Sequence, residues 1–304
     1  MNTKPPSSDN HHVRSELVVP PHLDGAPWLM FEQQCALSIY DDIKKHLPKL
    51  AKKTTVERVH ATRVALRRWS SIWKILDQDG WNSSKYWKQV GKELKKIRSL
   101  LGELRDCDVN IEVAESVGVS KKILDKWHEE RKSIAKKTKK ELKGFDVDTL
   151  LDDMKEFLLK RPDKLRKNLE AAGGHSNDSA YLHLEPFVQA QEEITRNLAS
   201  SAKTPEELHA LRLGVKAWRY LLVEFYGLTN LELVKAQSIL GKLNDLHRVE
   251  LLLADEKDTA AKDALAKCNE QREKLLDDFT QFRENLPYGL RPSVSSPGRK
   301  LKSN

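Results

Sequence analysis

The chain has 304 residues, with 53 Lys and Arg against 45 Asp and Glu, a net charge of +8. Charged residues at 32%, hydrophobic residues at 39% and only 7% aromatics exclude an all-β composition and favour a helical protein with a sizeable core. The sequence pI near 9.2 suits a polyanionic partner, whether nucleic acid, an acidic membrane surface or polyphosphate, and does not choose among them.

Three cysteines, Cys35, Cys107 and Cys268, lie far apart without metal-ligand spacing, which reads as a reduced cytoplasmic protein. No apolar run reaches membrane-spanning length, so no membrane insertion is expected. The first residues, "MNTKPPSSDNHH", lack the apolar region of a secretory signal.

In chain order, residues 1–26 are rich in Pro, Ser, His and Asn and read as a loose tail. "APWLMFEQQCALSIYDDIKKHL" reads as a helix closed by Pro48. "TTVERVHATRVALRRWSSIWKILDQDGW" reads as a helix from a Thr cap to Gly80. The long periodic segment from Ser83 to Gly118 is expected to break near Gly102. Between Lys121 and Lys143 ten basic and four acidic residues form what is most simply a solvated helix face. "AAGGHSNDS", with Gly173 and Gly174, reads as a linker over residues 173–179, and the helical pattern then resumes at "YLHLEPFVQAQEEITRNLASSA". Residues 289–304 read as a basic tail. The expected fold is all-α.

One segment recurs. "VHATRVALRRW" at residues 59–69 aligns with "LHALRLGVKAW" at residues 208–218, with His60/His209, Ala61/Ala210, Arg63/Arg212 and Trp69/Trp218 identical and Arg67 over Lys216. A second pair follows in the same order, "LLGELRDCDV" with Gly102 and "ILGKLNDLHRV" with Gly241, matching Leu101/Leu240, Leu104/Leu243 and Asp106/Asp245. Two ordered motif pairs point to an internal duplication, residues 27–172 and 180–288 within a domain of residues 27–288.

At ~100° per residue, Leu66, Trp69 and Trp73 share one face of the first helix. His60, Arg63, Arg67 and Lys74 occupy a narrow band between roughly 40° and 100°, bordering that face. His209, Arg212, Lys216 and Arg219 form the same band in the second copy, between roughly 20° and 100°. Like charges at helical spacing repel, by about 0.2–0.5 kcal/mol per pair. A stripe without interleaved acids therefore calls for an external anion. Arginine offers a planar fork for phosphate oxygens, lysine a mobile charge, and histidine a donor that an adjacent anion can make cationic. The next helix adds Lys88, Lys92, Lys95 and Arg98, with Lys88, Lys95 and Arg98 near one flank of its apolar face. Asp106 and Asp245 read as caps or as residues that orient a basic side chain. Asp106 with Asp108 is a weak metal signature, since the second copy offers Asp245 and His247. "HEERK" at His128 lacks the second zincin histidine, which Lys132 replaces. No Gly-rich phosphate loop, nucleophile elbow or carboxylate cluster for Mg²⁺ is present, so no enzyme activity, metal or cofactor is expected.

The repeated His-x-x-Arg-x-x-x-Arg/Lys helix followed by Leu-Gly-x-x-Arg/Asn-Asp resembles the CHAD family, the conserved histidine α-helical domain, over residues 28–286. The resemblance implies two four-helix bundles related by a pseudo-twofold axis, with a central basic groove or pore that binds inorganic polyphosphate and location on polyphosphate granules. It implies anion contacts by His60, Arg63, Arg67 and Arg68 in the first half. In the second half it implies contacts by His209, Arg212, Lys216, Arg219 and Tyr220. Ser70 stands where the family usually has another arginine, and Ala217 stands opposite Arg68, so each half lacks one cation. The sequence thus predicts a non-enzymatic polyphosphate-binding module, with nucleic-acid binding by the same basic surface as the alternative. Against that alternative, Trp69, Trp73 and Trp218 fall on predicted core faces, where they cannot stack on bases.

Overall fold

The stretches with three- and four-residue apolar spacing become helices in the structure, a computed structural model that describes residues 27–78, 85–171, 180–256 and 259–290. In order they are α1 (Pro27–Lys52), α2 (Val56–Gln78), α3 (Lys85–Val117), α4 (Lys121–Leu142) and α5 (Val147–Ala171). Then follow α6 (Ala180–Ser201), α7 (Pro205–Tyr226), α8 (Leu231–Ala254), α9 (Thr259–Phe282) and a short 3-10 turn, Arg283–Asn285. No strand occurs among the described residues. The expected tail at 1–26, the linker at 173–179 and the stop at Gly80 lie outside them.

Local chemistry sets the helix ends. Thr55 Oγ1 accepts from the Arg58 N–H at 3.4 Å, the expected cap of α2. Thr204 and Glu207 form a reciprocal capping box at the start of α7, a device worth about 1 kcal/mol. Gly227 ends α7 with φ 62°, a left-handed conformation that glycine adopts without strain.

Three expectations are corrected. Pro48 does not close α1, because Leu47 and Leu50 on either side of it are buried at 1% and 0% exposure and hold the last turn to Lys52. Gly102 does not break α3, which runs unbroken from Lys85 to Val117. The chain is still packed at residues 288–289: Tyr288 stacks on Trp218 with ring centroids 5.9 Å apart, and the Gly289 N–H donates to Glu192 Oε1 at 2.9 Å.

The two motif-bearing helices lie face to face, α2 against α7, and the two helices that follow them, α3 and α8, also meet. Helix α1 packs on α2 and α5 and reaches across to α6 and α7. The described residues of 27–172 form five helices, where the resemblance implies four, with α5 laid against α1 and α3. Trp69 and Trp218, at 2% and 0% exposure, belong to one continuous core that joins α1, α2 and α3 to α7 and α8. A second cluster unites Ile111, Val117, Ile123 and Trp127 of α3 and α4 with Leu246, Val249, Ala264 and Cys268 of α8 and α9. Neither core belongs to one half alone.

Arg68 is a cross-brace. Its Nε and Nη2 donate to Glu224 of α7 at 2.5 and 2.9 Å, and its Nη1 bonds Asp42 of α1. The Glu224 side chain is 1% exposed. Removing one partner of a buried ion pair leaves the other charge uncompensated, at a cost of about 3–5 kcal/mol. Arg68→Ala is therefore expected to lower the unfolding free energy by about that amount in urea titration. The Arg68→Met/Glu224→Leu pair should recover most of it.

Candidate functional site

Between α2 and α7, closed by α3 and α8, lies a cleft of about 840 Å³. Its cations are Arg63 and Arg67 from α2, Arg98 and Arg105 from α3, Arg212 and Lys216 from α7, and Arg248 from α8. Against these seven stand three acids, Glu103, Asp106 and Asp245. His60 and His209 lie at the wall, and Ser70, Ser71, Ser99, Gln191 and Asn244 add uncharged polar groups. The two recurring motifs thus meet across one cavity.

Of the two glycines of the second motif pair, Gly102 is the one that makes room for an arginine. A Cβ on Gly102 would sit 3.1 Å from Arg63 Nη1, and one on Gly241 would sit 3.9 Å from Arg212 Nε. Arg63 Nη1 donates to the Arg98 carbonyl at 3.2 Å, and Arg98 Nη1 donates to Ser70 Oγ at 2.7 Å. Ser70, the departure from the family pattern, is therefore where an arginine from α3 docks. The Nε atoms of Arg63 and Arg212 are buried and make no hydrogen bond among the described residues. Buried donors without acceptors cost free energy that an incoming anion can recover.

Burial and mutual repulsion shape the cleft's charges. Burial first, then the neighbouring Arg67, draws the Arg63 guanidinium down to about 10. Burial likewise lowers Arg98 and Arg212, with Asp245 partly compensating Arg212. Lys216 responds most: burial, then Arg212 and Arg67, pull its ammonium to about 6. At neutral pH Arg63 keeps its charge and the lysine is largely a neutral amine.

The acids are internal counterions in mid-helix, not the caps that the sequence allowed. Asp106 Oδ1 pairs with Arg248 at 2.9 Å across the α3–α8 contact. Asp245 Oδ1 accepts from Asn244 Nδ2 at 3.0 Å. Asp108 turns away to Arg131, at 2.7 Å, so it does not combine with Asp106 in a metal-binding pair. His209 Nδ1 donates to Asn244 Oδ1 at 2.5 Å, which makes its partner an asparagine of α8 and not Arg212.

Of the expected ligands, His60, Arg63, Arg67, Arg98, His209, Arg212, Lys216 and Tyr220 line the cleft, with Asp106 and Asp245 beside them. Arg68 does not, being held by Glu224 and Asp42. Arg219 is also outside the lining: its Nε donates to Gln237 at 2.7 Å and its guanidinium covers the Tyr220 ring. Lys88 and Lys95 are exposed on α3 and do not line the cleft. At 1.5 Å per residue they lie about 15 and 4.5 Å beyond Arg98 along the helix axis. The Lys74 side chain lies outside the described residues. Arg105 and Arg248 were missed. The signal for Arg105 was its place in the Leu-Gly-x-x-Arg-Asp motif, three residues after the glycine.

The family model described as the CHAD domain matches residues 34–254. The crystal structure of the CHAD domain from the plant Ricinus communis is similar, with 19% identity and a TM-score of 0.58, covering 86% of this chain and 92% of that one. PptA from Streptomyces chartreusis is similar at 14% identity and a TM-score of 0.57, covering 86% of this chain and 98% of that one. At these identities the likeness is one of fold. No curated protein matches the sequence. No helix among the described residues is long and apolar enough to cross a membrane.

The two glycines should respond differently to alanine. Gly241→Ala meets only an ordinary contact and gains helix propensity, so stability should rise by up to about 1 kcal/mol. Gly102→Ala makes the Arg63 guanidinium give by a few tenths of an ångström and should gain less. Thermal denaturation of both variants checks this; an equal gain at 102 would show that Arg63 is not seated there.

Proposed function

The chain belongs to the CHAD domain family, and from that premise we propose that it binds long-chain inorganic polyphosphate in the cleft between α2 and α7 without transforming it. The two halves are, on this reading, products of one duplication, and the polyanion threads between them as through a basic pore. The observation that carries the proposal is the pair of buried guanidinium groups, Arg63 and Arg212, whose Nε donors lack an acceptor among the described residues and share one cleft. Phosphate oxygens supply acceptors along the whole length of a polyphosphate chain, so repeated arginine forks suffice and no base-reading surface is needed. Lys95 and Lys88, beyond the cleft on α3, extend the contact to a longer chain. Binding of this kind would carry a cytoplasmic protein to polyphosphate granules.

Nucleic acid is the competing polyanion. Its single-stranded form is held by stacking on exposed aromatics. Trp69 and Trp218 are buried, Trp73 packs on the core, and Tyr220 at the cleft is 8% exposed. These placements favour a ligand without bases.

The deciding comparison measures long-chain polyphosphate, RNA and duplex DNA at matched charge and near-physiological salt. Polyphosphate should bind tightest, with log affinity falling linearly in log salt. Arg63→Ala/Arg212→Ala should weaken it by about a hundredfold or more, each lost charge-assisted bond being worth about 1.5–3 kcal/mol. Equal affinity for the three polymers, or no loss in the variant, would sink the reading. Polyphosphate incubated with the protein and Mg²⁺ should keep its length on a gel.

A pH dependence follows from Lys216. Its amine is depressed to about 6 in the empty cleft, and a bound anion raises it. Lys216 is charged in both states below about pH 6, so its contribution is full there and declines as pH rises. Polyphosphate affinity should therefore fall between pH 6 and 8, with proton uptake visible by calorimetry in buffers of different ionisation enthalpy. Lys216→Met should bind more weakly at pH 6 and lose that part of the slope.

A further inference from the structure

Lys216 differs chemically from every other cation in the cleft. It stands one turn after Arg212 on α7 and faces Arg63 and Arg67 of α2, with Asp245 of α8 as the nearby acid. Glu103, Asp106, Arg98 and Arg105 of α3 complete the charged surroundings, and Arg248 joins from α8. A lysine withdrawn from water beside other cations loses its proton easily and becomes a nucleophile. Here such an amine shares an 840 Å³ cleft with guanidinium groups suited to a phosphoryl group.

We propose that Lys216 is a site of covalent acylation by small acyl phosphates, whose phosphate is seated by Arg63, Arg67 and Arg212. The inference rests on the same anion cradle as the polyphosphate reading but requires only its smallest unit. The neutral Lys216 Nζ attacks the carbonyl carbon of the acyl phosphate, forming an amide C–N bond. The bond between that carbon and the bridging oxygen breaks, and phosphate leaves with the electron pair. The proton lost by the amine ends on the departing phosphate as hydrogen phosphate. No oxidant, reductant or metal is consumed. The guanidinium groups act by orienting the donor and by stabilising charge on the leaving phosphate.

The product amide cannot take up a proton. Acylation therefore removes for good a cation that an anion bound in the cleft would otherwise recharge. Polyphosphate binding to the modified protein should lose the pH dependence assigned to Lys216. Availability of acyl phosphates would in this way set the capacity of the protein for polyphosphate, and bound polyphosphate would in turn shield the amine.

The full chain is incubated with acetyl phosphate near neutral pH, and acetylation is followed residue by residue by mass spectrometry. Lys216 should react at least tenfold faster than Lys122, which is exposed on α4. Tripolyphosphate should slow Lys216 at least tenfold and leave Lys122 unchanged. Acetic anhydride, a neutral donor, separates nucleophilicity from seating: Arg212→Gln should slow acetyl phosphate at Lys216 much more than acetic anhydride. Reaction at Lys216 no faster than at Lys122, insensitivity to tripolyphosphate, or equal slowing of both donors would overturn the proposal. Polyphosphate binding measured in parallel keeps the two readings apart. Tight polyphosphate binding with a sluggish Lys216 overturns the acylation site alone. Rapid, tripolyphosphate-sensitive labelling without long-chain binding supports the acylation site and overturns the long-chain reading alone.

Discussion

Six arginines and a lysine brought to one cavity repel one another, and the surrounding fold must hold them there against that repulsion. Four helices share the task, so no single helix carries the whole cluster. Buried tryptophans, Trp69 on α2 and Trp218 on α7, anchor the two that carry the recurring motif. The cleft also keeps its own counterions: Asp106 holds Arg248, and Asp245 stands beside Arg212 and Lys216. Burial first, and then the charge left over at Arg212 and Arg67, depress the Lys216 amine, the softest member of the cluster and the first to shed its proton.

The cross-brace at Arg68 belongs to the same balance. Arg68 follows Arg67 directly, yet the two serve opposite ends. Arg67 points into the cleft, and Arg68 spends its charge on Glu224 and Asp42, tying α2 to α7 and α1. The pair of helices that carries the like charges is thus joined by an opposite-charge bond on its far side. A substitution at Arg68 acts on the spacing of the walls, whereas one at Arg67 acts on what lies between them.

Much of the cleft was legible because a like-charge stripe has no explanation within its own helix. His60, Arg63 and Arg67 recur as His209, Arg212 and Lys216, and helical periodicity fixes all six on one band. The same periodicity sets Arg68 roughly 180° from Val59, about 80° outside the edge of the band. Only the family pattern brought Arg68 into the ligand set, and the wheel was the better guide. Arg105 and Arg248 were hidden because their partners come from other helices, which local spacing cannot reveal. Pro48 and Gly102 mislead for a related reason: intrinsic helix-breaking tendency yields to tertiary packing on both sides of the residue. The five helices of the first half, and cores that cross between halves, arise from contacts distant in sequence.

The second core cluster has a consequence for how the chain is made. Ile111, Val117, Ile123 and Trp127 are synthesised well before Leu246, Val249 and Cys268, the residues that cover them. A nascent chain that has completed α4 must carry this apolar face uncovered until more than a hundred further residues have followed. During that interval it is the surface on which a chaperone would act, or on which two unfinished chains would meet. The charged cavity is equally unfinished at that stage, because α7 and α8 supply its other wall. Closing the apolar cluster and assembling the cationic site are therefore late and simultaneous events in the life of one molecule.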